Sequence, residues 1–283
     1  MKWLPVVRAV RVPWALVPFV ALVGAPVALA LATAAVLSVR DVAGRPSLAA
    51  WRAVLTEGEA LGSLALSAFV ATAVVALALG LALPLALALR DRVRRGIVGA
   101  ALHAPLAVPA VVAAFVAFQL LTPSGIVGRW LVAAGVVGGM EGVPVVVNDR
   151  WAVGIVLAHV ALAVPFLVLL LAELADSERL ADLARLARTL GAGQRAVRWR
   201  VEVPVLLRAA VPQAALLWVA VLGSYEIPLL LGRQSPQMLS VLTLRTFERF
   251  DLADKPKAFV LAVLYALAVG AVLAVVLRRR EAS

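Results

Sequence analysis

Long apolar runs alternate with short arginine-bearing segments along the chain. Six runs, at approximately 14–39, 61–89, 97–121, 151–173, 205–231 and 258–277, reach the roughly 20 residues a helix needs to cross about 30 Å of hydrocarbon. Backbone in lipid must satisfy its own hydrogen bonds, so the pattern predicts an all-α integral membrane protein with six transmembrane helices, a single domain over 1–283. The segment 174–204 is patterned differently. Leu180, Leu183, Ala184, Ala187 and Leu190 recur at helical spacing, with Arg179, Asp182 and Arg188 off that stripe. Gly191 falls at a C-cap position and Gly193 follows it, so the helix should turn sharply there. A second short helix is expected at about 194–200, bearing Arg195, Arg198, Trp199 and Arg200, with Pro204 as the boundary to the next span.

The other connections are long and mixed. Residues 40–60 hold Pro46 and Trp51, and 122–150 carries a semi-apolar stretch expected to pack partly on the bundle as a short interfacial or re-entrant helix. Residues 232–257 include the charged amphipathic run RTFERFDLADKPK. Prolines 84, 105, 109, 165, 212 and 228 lie inside spans, as kinks or as breaks along a moving pathway.

Composition agrees with the pattern. The chain of 283 residues is 64% hydrophobic and 15% charged, against about half and a quarter in soluble domains. The net charge of +11 is distributed by topology. With both termini in the cytoplasm, the tails and the segments 90–96 and 174–208 hold 17 of the 27 Lys and Arg residues, among them Lys2, Arg8, Arg11, Arg90, Arg92, Arg94, Arg95 and Arg278–Arg280. The basicity therefore reports orientation and not nucleic-acid binding. The ALA at 28–30 resembles a signal-peptidase site, but its apolar run is longer than a signal h-region, so the segment is expected to stay as a span.

With no cysteine, disulfides and thiolate metal sites are excluded. His103 and His159 lie apart in apolar segments and read as packed or hydrogen-bonded core histidines. No HExxH, P-loop or GxSxG pattern occurs, so no metal, cofactor or catalytic residue is expected, and any ATP hydrolysis belongs to another subunit. Glu226, between Tyr225 and Ile227 in the fifth run, is the residue most costly to leave in hydrocarbon. Tyr225 and Glu226, just before Pro228, are candidates for the translocation pathway; capping of a broken helix by Glu226, or its pairing with Arg233, is the structural alternative. Gln119 is a second lining candidate, or an interhelical hydrogen bond.

From pattern alone, the 174–204 loop is either an amphipathic anchor on membrane lipid or a docking element for another protein. Its sequence resembles the cytoplasmic EAA loop of permease subunits of binding-protein-dependent ABC importers: EAA, three residues, Gly, nine residues, Ile-x-Leu-Pro. Arg185-Leu186-Ala187 stands in the EAA slot, Gly191 follows at the motif's distance, and Val201-Glu202-Val203-Pro204 closes it. Arg185 replaces the motif glutamate. GSYEIPLLLG at 223–232 and SPQMLSVLTLRTF at 235–247 are similar to segments of the polyamine, iron and sulfate importer group.

The resemblance implies the type I importer architecture in a prokaryotic cytoplasmic membrane. It implies partners too: a dimer of ATP-binding ABC subunits, a second permease, homologous or identical, and an extracytoplasmic solute-binding protein. Arg185, Ala187, Gly191, Gly193 and Pro204 would form the ATPase-coupling element, with a polyamine as the first cargo expected and iron(III), a sulfate-like oxyanion or another small solute as alternatives. An ion-coupled secondary transporter or channel using Glu226, or an assembly protein whose loop binds lipid, are the rival readings. No inverted repeat is apparent by eye, which disfavours several secondary-transporter folds.

Overall fold

The computed structural model describes residues 16–281 except 91, 94 and 95. Lys2, Arg8, Arg11, Arg94 and Arg95, and the start of the expected first span, lie outside the described residues. Six segments are long and apolar enough to cross a membrane: Val17–Ser38, Glu59–Leu89, Ala110–Ala133, Val153–Ser177, Gln194–Leu222 and Leu252–Arg278. We number the helices α1 (Val17–Ser38), α2 (Ala49–Thr56), α3 (Glu59–Leu89), α4 (Gly96–His103), α5 (Ala110–Leu121), α6 (Ile126–Ala133) and α7 (Val153–Ser177). They continue as α8 (Leu180–Thr189), α9 (Gln194–Leu222), α10 (Glu226–Leu231), α11 (Leu239–Glu248) and α12 (Lys255–Glu281). No β-strand occurs among the described residues.

The bundle is organised on α3 and α7. Apolar faces gain nothing by leaving lipid for one another, so close van der Waals packing decides which helices meet. On α3, Ala60, Ser63, Ser67, Val70, Ala71, Val74, Ala78 and Ala82 are buried at helical spacing, and their small side chains let α7 approach with Leu167, Val168 and Leu171. α9 packs against α3 as well, and touches α7. Polar bonds tie the helices further. Ser67 Oγ accepts from the N–H of Leu239 at 2.8 Å, holding the start of α11, and Trp218 Nε1 donates to Thr72 Oγ1 at 3.0 Å. Arg90, just past α3, pairs with Asp176 near the end of α7 at 3.3 Å.

The prolines do not act alike. Pro84, Pro165 and Pro212 sit inside continuous helices. Pro105 and Pro109 flank a real break: α4 tightens into a 3₁₀ turn at Ala104–Ala107, Val108 is extended, and α5 starts at Ala110. The run expected as one span at 97–121 is thus interrupted, where two prolines four residues apart each remove an N–H donor and crowd the preceding turn. The fifth run also breaks, but at Gly223–Tyr225, before Glu226, and Pro228 lies inside the short α10.

The connections pack on the bundle. The 122–150 segment forms α6, buries Val143 and Val147, and donates the Asn148 N–H to the carbonyl of Leu231 at 2.8 Å, closing the end of α10. Residues 232–257 form α11 and a 3₁₀ turn at Leu252–Asp254. There Lys257 bridges Asp254 and Glu57, each at 3.3 Å.

Candidate functional site

The loop between α7 and α9 is built on its backbone. Arg179 takes a left-handed conformation with φ 48°, separating α7 from α8. At the other end of α8, the Gly191 N–H donates to the carbonyl of Arg188 at 2.9 Å and the Ala192 N–H to that of Ala187 at 3.0 Å. With Gly191 at φ 85°, this pair of bonds is a Schellman motif, which satisfies carbonyls the helix end would leave orphaned. Gly191 meets the left-handed requirement without a Cβ penalty. Gly193 has φ −68° and ψ 158°, which any residue adopts, so its place as N-cap of the next helix makes no such demand.

The sequence expectation of a second short helix ending at Pro204 is corrected here. Residues 194–222 run as one helix through a π turn at Arg198–Glu202, and Pro204 sits in its interior without breaking it. A π turn shifts the bonding pattern just where proline supplies no N–H.

The apolar stripe of α8 also divides. Leu180 and Ala184 are buried, and Ala187 is half-buried. Leu186 is 59% exposed, Leu190 81%, and Trp199 on the next helix 63%. Arg185 is exposed beside them. The sequence places Leu186 and Trp199 only by position; their exposure is a tertiary outcome, though Leu186 lies off the helical stripe of Leu180 and Ala184.

The second element surrounds the break at Gly223–Tyr225. A Cβ on Gly223 would run into the Tyr265 hydroxyl, so the glycine leaves room for that side chain of α12. Tyr225 and Glu226 open to different spaces. Tyr225 lines a polar cavity of about 320 Å³ with Arg233, Gln234, Gln237 and Arg245. Glu226 lines an apolar one of about 340 Å³ with His159, Phe166, Ser224 and Ile227. Glu226 occupies the first turn of α10, where a negative charge suits the helix dipole, yet it makes no capping bond. Arg233 instead directs Nε to the carbonyl of Pro236 at 3.4 Å, so the expected Glu226–Arg233 pair is not formed. Gln119 is exposed on α5 and lines neither cavity.

The histidines separate as well. His159 is 7% exposed, with Nδ1 2.9 Å from the carbonyl of Ile155 and Nε2 without a partner. His103, expected in the core, is exposed at the end of α4 and bonded to the carbonyl of Gly99 at 2.7 Å.

Six segments long and apolar enough to cross a membrane, a loop turned on a left-handed glycine and a break in the fifth apolar run make this a multi-pass membrane protein. Residues 78–281 match the family described as binding-protein-dependent transport system inner membrane component, and the chain belongs to that family. The match spans both elements just described. No curated protein matches the chain.

Proposed function

We propose that this chain is the pathway-forming permease subunit of an ATP-driven importer, coupled to a separate ATPase through the 179–200 loop. Family membership supports an ATPase and a solute-binding protein as partners. The observation that carries the coupling role is the Schellman turn at Gly191, which joins α8, with its exposed Leu186, to the helix that carries the exposed Trp199. Exposed leucines and a tryptophan beside arginines suit a membrane interface as well as a protein groove; the EAA-like spacing of Ala187, Gly191 and Pro204 is what favours the groove. The positive-inside distribution favours this end, and both termini, on the cytoplasmic side of a prokaryotic inner membrane.

ATP-driven closure of the ATPase dimer would move the loop and swing the spans between inward- and outward-facing states. That requires contacts which differ between the two states and not merely a tight dock. A second permease, homologous or identical, completes the pathway. Among cargoes a polyamine such as spermidine or putrescine is the first candidate, with iron(III), a sulfate-like oxyanion or another small solute as alternatives. The carboxylate of Glu226, without a partner among the described residues, favours a cation over an oxyanion.

Coexpression with the ATP-binding subunit tests the reading. Copurification and ATP-dependent uptake in proteoliposomes are expected, whereas proton-driven uptake by the permease alone would overturn it.

A further inference from the structure

The cavity that Tyr225 lines holds more hydrogen-bond donors than it uses. It lies beyond the far end of α9, where the chain leaves α10 and enters α11, and its volume is about 320 Å³. Arg233, Gln234, Gln237, Arg245 and Glu248 line it. Arg233 Nε donates to the carbonyl of Pro236 at 3.4 Å, and Arg245 Nη1 to Gln234 Oε1 at 3.3 Å. A guanidinium carries five N–H donors, so most of theirs stay unspent.

Gln237 adds a donor of another kind. It is 7% exposed, yet its amide makes no hydrogen bond among the described residues. The buried side-chain atoms there that are sealed without a partner are Ser63 Oγ, Asp149 Oδ1, His159 Nε2 and Gln213 Oε1. The Gln237 amide is not among them, so it is set in the wall and still open to the cavity it lines. A buried amide without a partner is costly, and an occupant that accepts from it recovers the loss. Charge narrows the occupant further. Two guanidiniums and one carboxylate, that of Glu248, line the space and leave one positive charge in excess.

We propose that Arg233, Gln237 and Arg245 form a binding site for the carboxylate of a small monoanion. Guanidiniums match the two oxygens of a carboxylate, the Gln237 amide adds a neutral donor, and a single negative charge cancels the excess. A dianion such as sulfate would bring one charge too many beside Glu248, and like charges brought together disfavour it. This occupant is not the cationic group that Glu226 favours: Tyr225 and Glu226 are neighbours in sequence but open to different cavities. Once bound, the carboxylate would join Arg233, just past α10, to Arg245 on α11. The binding does not depend on the importer reading.

The test exploits the two tyrosines of the chain, which line different cavities: Tyr225 this one, Tyr265 an apolar one between α11 and α12. The full-length permease, ¹³C-labelled at the oxygen-bearing ring carbon of tyrosine and held in lipid nanodiscs in the assembly with which it purifies, is titrated at constant ionic strength. The probes are acetate, sulfate and methylammonium, and Tyr265→Phe assigns the two resonances. Acetate should shift Tyr225 saturably and leave Tyr265 unmoved. Sulfate should need about tenfold more for the same shift, and methylammonium should move neither. Arg245→Gln should weaken the acetate response by about tenfold, the scale of one lost charged hydrogen bond, with the Tyr265 resonance in place as proof of folding. Gln237→Glu keeps the size of the side chain but sets a negative charge in the wall, and it should abolish the response. A silent Tyr225, an equal response to sulfate or methylammonium, or an undiminished response in either variant would each overturn the site. Failure to copurify with an ATPase, alongside an intact Tyr225 response, would instead sink the importer reading alone.

Discussion

Ala187 and Ala192 are joined across the end of α8 by a backbone hydrogen bond of 3.0 Å, and Gly191 between them sits at φ 85°. The bond fixes the direction in which the chain leaves one helix for the next. A β-branched residue at that φ is a genuine outlier, and left-handed strain costs about 1–2 kcal/mol. Gly191→Val should therefore insert in the membrane at normal levels yet lose ATP-driven uptake. Uptake in proteoliposomes at wild-type rate would remove the coupling role from this turn.

Leu186 and Leu190 face away from the bundle, so charging them removes apolar contact area without opening a hole. The double variant L186D/L190D should retain the thermal unfolding midpoint of the parent and lose copurification of the ATPase subunit. A lower midpoint would mean instead that these leucines pack within the permease.

Ser67 holds α11 to α3 by accepting the N–H of Leu239. Ser67→Ala leaves that buried donor without a partner, at a cost of about 1–3 kcal/mol. A lower unfolding midpoint in nanodiscs is expected, and an unchanged one would show that water replaces the hydroxyl.

Gly223→Ala forces the new Cβ against the Tyr265 hydroxyl unless that side chain or its helix shifts. Overpacking of this kind costs about 1–3 kcal/mol. Tyr265→Phe in the same chain should recover part of the loss by deleting the nearest atom. A double-mutant cycle with no coupling between the two positions would count against the contact.

Much of this arrangement was legible because lipid imposes it. An apolar run of sufficient length has little choice but a helix, and the runs ending at Leu89 and beginning near Trp151 became α3 and α7. Gly191 was legible because a left-handed cap favours glycine. Arg179 and Ala152 take the same region of backbone space without glycine, at φ 48° and 55°, and nothing in their side chains announces it. Pro204 misled in the opposite sense: a proline usually marks a boundary, but a π turn absorbed it.

The site was half legible. Glu226 stood out because a carboxylate among apolar residues is expensive wherever it lies. His159 did not, because an unpartnered ring nitrogen exists only once α7 is set against α9 and α10. Gln119 shows the limit of reading polarity from position alone: it is polar, near a span's end, and faces neither cavity.

The uninterrupted helix from Gln194 to Leu222 makes the loop and the span a single lever. Its 29 residues measure about 44 Å at 1.5 Å per residue. A tilt of about ten degrees about the Gln194 end would carry the far tip by roughly 8 Å on that length. That tip is Leu222, and the chain beyond it has a joint at Gly223 before Glu226 begins the next helix. A small tilt imposed at the arginine-bearing end therefore becomes a displacement of several ångströms where Leu217, Ala220 and Val221 of α9 line the cavity beside Glu226.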